Sequence, residues 1–97
     1  MVNLIPNISV KEVLGKNNII DLRNETSYNN NHIPSAINIP FEKIIIEPYK
    51  YLNKDTIYYL YCRRGITSLK ACQILKRMGY NVVNVDGGYE KWILEDR

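Results

Sequence analysis

No stretch of this sequence is apolar for long enough to cross a bilayer. The longest apolar runs, such as Ile57-Tyr58-Tyr59-Leu60-Tyr61, are four or five residues, against the roughly 20 that a spanning helix needs. No membrane partner is therefore expected. The start, Met1-Val2-Asn3-Leu4-Ile5-Pro6, has no basic residue, long apolar core or small-residue cleavage site, so a secretory signal is not expected. Cysteine is scarce: Cys62 and Cys72 are the only two. Without a secretion signal they read as free thiols in a reducing compartment, the cytoplasm, and not as a disulfide. Two cysteines and one histidine, His32, lack any metal-ligand spacing such as Cys-x-x-Cys. No metal and no cofactor are expected. A net charge of +3 is too small to argue for nucleic acid, and the eight tyrosines and many asparagines read as compositional bias, not as a stacking platform for bases.

What is present is ordinary in bulk and uneven in distribution. The 97 residues fit one compact domain, expected over 1–97, and 45% hydrophobic with 24% charged residues suits a globular protein. Residues 1–55 hold six bases and six acids, and residues 86–97 hold two bases and four acids. Between Thr56 and Val85 stand five bases (Arg63, Arg64, Lys70, Lys76, Arg77) and no acid. The excess positive charge thus follows Cys62. Such a field stabilises a thiolate and attracts small anions; the plainer reading is a solvated helix face.

Local signals alternate between helix and strand. Ser9, Glu12 and Gly15 frame a short helix as N-cap, capping-box partner and stop. Asn18 to Leu22 reads as a buried strand. Residues 24–31 are polar, with one helical turn, and Ala36 to Pro40 form a further element bounded by Pro34 and Pro40. Pro40 opens a helix at Phe41. Ile57 to Tyr61 is the strongest strand. It runs into Cys62-Arg63-Arg64-Gly65-Ile66-Thr67, and a helix follows with Leu69, Cys72 and Leu75 on one face and Lys70, Gln73 and Arg77 on the other. Gly79 closes it, Val82 to Val85 is the last strand, Asp86-Gly87-Gly88 a turn, and Tyr89 to Leu94 a terminal helix. Alternating elements predict an α/β fold, a parallel sheet with helices on both faces. Ligands bind such sheets beyond the carboxyl ends of the strands, where Cys62 stands.

A cysteine at a strand-to-helix junction faces the positive end of the helix dipole and several unpaired backbone N–H groups, both of which favour a thiolate. Gly65 permits positive φ, so the loop can curl with its amides inward as an anion cradle. Thr67 or Ser68 serves as N-cap or offers a hydroxyl to the sulfur. Arg63 and Arg64 supply positive charge at the rim for an acidic partner. The alternative is a small buried cysteine that merely ends a strand. Cys72 lies on the apolar helix face, roughly 10–15 Å from Cys62 by the helical rise, too far for a disulfide, and reads as core. Asp21, Arg23 and Asn38 stand near the expected site, where they either shape the pocket or tie loops together. His32 invites a general-base role, but its setting before Ile33-Pro34 favours a structural hydrogen bond. Tyr89 and Trp92 read as core or rim residues of the last helix.

In order along the chain, Ile19-Ile20-Asp21-Leu22-Arg23, Tyr28, His32-Ile33-Pro34-x-Ala36-x-Asn38-Ile39-Pro40, Tyr61-Cys62-x-x-Gly65-x-x-Ser68, Gly79-Tyr80, Val82-Val83, Gly87-Gly88 and Trp92 resemble the rhodanese family over nearly the whole length. The resemblance implies a five-stranded, mainly parallel α/β sheet and a sulfurtransferase using no cofactor. Cys62 is then the nucleophile that takes sulfane sulfur from a small anionic donor such as thiosulfate and carries it as a persulfide. It would pass that sulfur to cyanide, a low-molecular-weight thiol or a partner protein, with no nucleic acid involved. The amides of Arg63, Arg64, Gly65, Ile66, Thr67 and Ser68 would hold the anion, Arg63 and Arg64 would recognise the donor, and Thr67 would hydrogen-bond the sulfur. Many members carry arginine where this chain has Thr67, and glycine where it has Asn31 and Ser35; Asn31 can take a left-handed turn in glycine's place. Ser27 replaces a common glutamate. Two other readings use the same scaffold. A non-catalytic interaction module usually lacks the cysteine. A cysteine phosphatase or arsenate reductase needs an arginine about six residues after the cysteine, where Thr67 and Ser68 stand.

Overall fold

Burial of the central strands on both faces sets the architecture. In the computed structural model, which describes residues 4–95, β1 (Asn7–Ile8), β2 (Ile19–Asp21), β3 (Ile37–Asn38), β4 (Ile57–Tyr61) and β5 (Asn81–Val85) form one sheet. Its strand order is β1-β5-β4-β2-β3, and every pair is parallel. The helices are α1 (Val10–Val13), α2 (Glu25–Asn30), α3 (Phe41–Ile46), α4 (Ile66–Arg77) and α5 (Gly88–Glu95), with a 3-10 turn at Pro48–Lys50. This is the α/β fold the sequence predicts.

Because successive strand residues point to opposite faces, the sheet carries two cores. Ile20, Leu22, Leu60, Cys62 and Val82 pack on one side with Ile44 of α3 and Ala71, Cys72 and Leu75 of α4. On the other side Ile19, Tyr61 and Val85 pack with Val10 and Val13 of α1, Ile33, Ala36 and Trp92 of α5. Strands buried on both faces need the continuous β-branched and aromatic runs that β2 and β4 have.

Caps begin and end the helices close to where the sequence places them. Ser9 Oγ accepts from the Glu12 amide at 3.3 Å, and Glu12 accepts from the Ser9 amide at 3.1 Å, the reciprocal pair that starts α1. The Tyr80 amide donates to Leu75 O at 3.1 Å and the Gly79 amide to Lys76 O at 3.0 Å, closing α4.

Three local expectations are corrected, and one strand is added to those the sequence suggests. β1 is a strand of two residues that the sequence does not suggest; it forms because Asn7 and Ile8 pair with Asn84 and Val85. The polar stretch holds a six-residue helix, α2, capped by Asn24 Oδ1, where a single turn is expected. Asn31 is extended at φ −171, a conformation open to any residue, and the left-handed position is Ser35 at φ 69. Neither Thr67 nor Ser68 caps α4: Gly65 holds that place, and both hydroxyl residues lie in the first turn.

Candidate active site

β4, at the centre of the sheet, delivers Cys62 to its carboxyl end, and α4 starts four residues later at Ile66. The intervening loop turns back on the sulfur because Gly65 sits at φ +96, a region that side chains rarely adopt. Two backbone amides converge on Cys62 Sγ: those of Gly65 and Ser68, each at 3.2 Å. Cys62 is 6% exposed and lies at a depression of about 250 Å³ lined also by Arg63, Arg64, Ile66 and Thr67. The sulfur thus has two backbone amides and a small depression beside it.

α5 holds the loop from behind. The Tyr89 amide donates to Cys62 O at 2.8 Å and the Glu90 amide to Arg63 O at 2.9 Å, so first-turn donors of α5 find their acceptors in the loop. The approach is too close for a side chain. A Cβ on Gly88 would lie 2.8 Å from the carbonyl carbon and oxygen of Arg63, and closer still to Cys62 O. Gly88 thus has a mechanical purpose that its sequence position alone does not reveal.

The six loop residues expected to bind substrate are contiguous, but they divide by role. Gly65 and Ser68 face the sulfur. Arg63, Arg64, Ile66 and Thr67 line the depression and are exposed, with Ile66 73% exposed at its edge. Thr67 makes no hydrogen bond to Cys62 among the described residues. The hydroxyl at the sulfur belongs to Ser68, whose Oγ is 3.4 Å from Sγ. The cause is helical phase: Ser68 precedes Cys72 and Leu75 by four and seven residues on the buried face of α4, and Thr67 points out. Arg63 has no carboxylate partner among the described residues, whereas Arg64 Nε is 3.5 Å from Glu90 Oε2. That pair is exposed and adds little stability.

Asp21, Arg23 and Asn38 are not among the residues lining the depression. They build a separate network on the opposite core. Arg23 clasps Asp21 with Nη2 at 2.7 Å and Nε at 3.1 Å, reaches Asn31 O at 2.7 Å, and lies 4.0 Å from the Tyr89 ring centre. Tyr61 donates to Asp21 Oδ2 at 2.6 Å and accepts from the Ile33 amide at 3.1 Å. Burial, reinforced by the Asp21 carboxylate, pushes the Tyr61 phenol far above its ordinary range, so it stays a donor. Asn38 Nδ2 donates to Asp21 O and Arg23 O. These contacts join β2, β3 and the 31–36 segment into one rigid corner. His32 belongs to the same region: its ring stacks on Tyr28 at 4.0 Å and its Nδ1 is 3.0 Å from Ile33 O.

Cys72 lies in the core beneath the site at 0% exposure. Burial, with the neighbouring Cys62 second, pushes its thiol up to about 12. Both cysteines are free. The sequence reading passed over Asn84. This buried asparagine between Val83 and Val85 accepts from Ser68 Oγ at 2.6 Å. A polar residue amid a β-branched strand that is buried on both faces is the signal for it.

Comparison with known proteins agrees with this architecture. The family model described as Rhodanese-like domain matches residues 8–95. The chain is 32% identical over 96 residues to a sulfurtransferase of Allochromatium vinosum, covering 95% of this chain and 89% of that protein. It is 36% identical over 75 residues to the adenylyltransferase and sulfurtransferase uba4 of Ogataea parapolymorpha, with 76% of this chain covered. It spans only 19% of that longer relative. The crystal structure of a rhodanese-related protein from Thermoplasma volcanium superimposes with a TM-score of 0.82 at 30% identity, covering 93% of this chain and 92% of that one. No helix among the described residues is long and apolar enough to cross a membrane. A parallel sheet with its cysteine loop at the end of the central strand, matched over residues 8–95, places this chain in the rhodanese-like domain family.

Proposed function

We propose that the protein is a sulfurtransferase that carries sulfane sulfur as a persulfide on Cys62, drawing it from a small anionic donor of the thiosulfate class. The observation that carries this reading is the pair of amides, Gly65 and Ser68, at 3.2 Å from Sγ beside an otherwise open depression. Fixed N–H dipoles at a reacting sulfur stabilise negative charge without reorganisation during the reaction.

In the first half-reaction the Cys62 thiolate attacks the outer sulfur of thiosulfate. A new S–S bond forms as the bond to the sulfonate sulfur breaks, and sulfite leaves with the bonding pair. In the second, cyanide or an acceptor thiolate attacks the outer sulfur of the persulfide, and Cys62 departs as thiolate with that bond's electrons. The roles follow position. The Gly65 and Ser68 amides hold Sγ. The depression lined by Arg63, Arg64, Ile66 and Thr67 receives the outer sulfur, with the Thr67 hydroxyl on its wall. The Arg63 guanidinium meets the donor's sulfonate, and Arg64 contributes less because it is shared with Glu90.

The test is turnover by the purified protein supplied with thiosulfate and cyanide, read as thiocyanate released. Sustained release is expected. Absence of release with thiosulfate and with an organic thiosulfonate alike would remove the enzymatic reading and leave a binding module.

A further inference from the structure

A chain of four polar contacts runs from Cys62 to the edge of the sheet, buried at Cys62 and Ser68, half-buried between Asn84 and Asn7 and exposed at Asn7, and its direction is read from the far end. Ile5 O can only accept, so the Asn7 side-chain atom 3.3 Å from it is the amide nitrogen. Asn7 therefore turns Oδ1 towards Asn84, whose Nδ2 donates to it at 2.8 Å. Asn84 in turn presents Oδ1 to Ser68, and Ser68 Oγ donates its one proton there at 2.6 Å. With that proton committed, Ser68 Oγ can only accept on its other side, where Cys62 Sγ lies at 3.4 Å. Ser68 and Asn84 are 0% and 2% exposed, so water does not compete.

We propose that Asn84, oriented by Asn7 across the β1–β5 pairing, is a positioning residue that holds the Ser68 hydroxyl as an acceptor for the Cys62 S–H and keeps it from donating to the sulfur. A hydroxyl free to rotate would donate to a thiolate, as a third donor beside the Gly65 and Ser68 amides. Held by Asn84, it can accept from the S–H but cannot donate to the thiolate. The charge on the sulfur is then met by the two amides alone, while the depression stays open for the donor. The device is built from side chains of three elements, α4, β5 and β1, and so also assigns a purpose to the two-residue strand β1.

The other charged and titratable groups around Cys62 are few. Arg63 and Arg64 line the depression, Glu90 of α5 pairs with Arg64, and the Cys72 thiol lies below in the same core. None forms a side-chain hydrogen bond or ion pair with Ser68 or Asn84 among the described residues, so a variant at Asn84 reaches Cys62 through the hydroxyl and not through a changed ion pair. The inference rests on the reading of Cys62 as the reactive sulfur, but its test needs no sulfur transfer.

The experiment is the rate of alkylation of Cys62 by iodoacetamide at pH 7, measured on the folded protein for a double-mutant cycle. Asn84→Leu keeps the γ-branched shape, with a larger side chain, and removes the acceptor. It is expected to speed alkylation roughly 3- to 10-fold, because the thiolate gains a charge-assisted hydrogen bond whose effect on its population is partly offset by lower nucleophilicity. The gain should vanish when Asn84→Leu is made in a Ser68→Ala background. Asn7→Ala, at an exposed position, should move the rate in the same direction by less, and carries the test if Asn84→Leu does not fold. The inference is overturned if the folded variants alkylate at the wild-type rate, or if the Asn84→Leu gain persists without the Ser68 hydroxyl. Loss of thiocyanate formation with the cycle intact would instead count against the sulfurtransferase reading alone.

Discussion

Cys62 and Cys72 share a residue type and a hydrophobic core, yet ten residues of chain separate two different chemistries. At Cys62 the backbone has left the strand and not yet entered the helix, so two amides and a depression meet at the sulfur. At Cys72 the backbone is mid-helix, where amides are paired along the helix, and the thiol is pushed up to about 12 by burial first and by the neighbouring Cys62 second. Burial as such therefore says little about a cysteine's role. What differs is whether unpaired backbone dipoles face the sulfur.

The largest expected contrast comes from replacing each cysteine in turn. Cys62→Ser should take thiocyanate formation to background, while Cys72→Ala should retain turnover at 25 °C and lose only about 1 kcal/mol of stability from the small cavity. Measurable turnover in Cys62→Ser, or its loss in a folded Cys72→Ala, would erase the distinction.

Nearly as large is the effect of disturbing the loop without touching either cysteine. In Gly88→Ala the new methyl collides with the carbonyls of Cys62 and Arg63, so the loop must move. Turnover should fall by about 100-fold or more, since small misplacements cost that much. Melting should show a loss of about 1–3 kcal/mol from the overpacking. Wild-type kinetics in this variant would mean that the loop geometry at Cys62 is not what matters.

The alkaline limb of stability sharpens the contrast from the Cys72 side. Its thiol titrates from an ordinary value of 9.0 when unfolded to about 12 when folded. The unfolded chain thus binds fewer protons between those values, and stability falls as pH rises through that window, by at most about 1.4 kcal/mol per pH unit. Tyr61, raised above its ordinary 10.0, adds to the same loss at its upper end. Denaturant melts of wild type and Cys72→Ala between pH 8 and pH 11 should therefore converge and then cross as pH rises; parallel curves would show that Cys72 is not held as the thiol.

The smallest effect concerns the charges at the rim. Arg63→Glu should raise the thiosulfate KM several-fold, and Arg64→Glu should raise it less, because Arg64 already shares its charge with Glu90. Equal effects, or none, would contradict the roles given to these two side chains.

Much of this site could be read from the sequence because its signals are local. A β-branched and aromatic run, a cysteine, a glycine that must turn and an amphipathic helix follow one another without interruption from Ile57 to Arg77. The period of α4 also held the choice between Thr67 and Ser68, since Ser68 falls in step with Cys72 and Leu75 and Thr67 does not. What could not be read is long-range. β1 exists only through its pairing with β5, and the network linking Asp21, Arg23 and Tyr61 joins residues 40 apart. The clash that demands Gly88 comes from a loop 25 residues upstream. Of the two positions where the family pattern carries glycine, Ser35 takes the left-handed turn and Asn31 is extended, a distinction the resemblance alone does not make.

The most direct test is the intact mass of the protein after incubation with thiosulfate, beside a Cys62→Ser control. The account predicts a gain of one sulfur atom, about 32 Da, on the wild-type chain only, with Cys72 unmodified, and its reversal by cyanide. A mass gain that survives in Cys62→Ser, or no gain with thiosulfate or an organic thiosulfonate, would contradict the claim that Cys62 carries the sulfur.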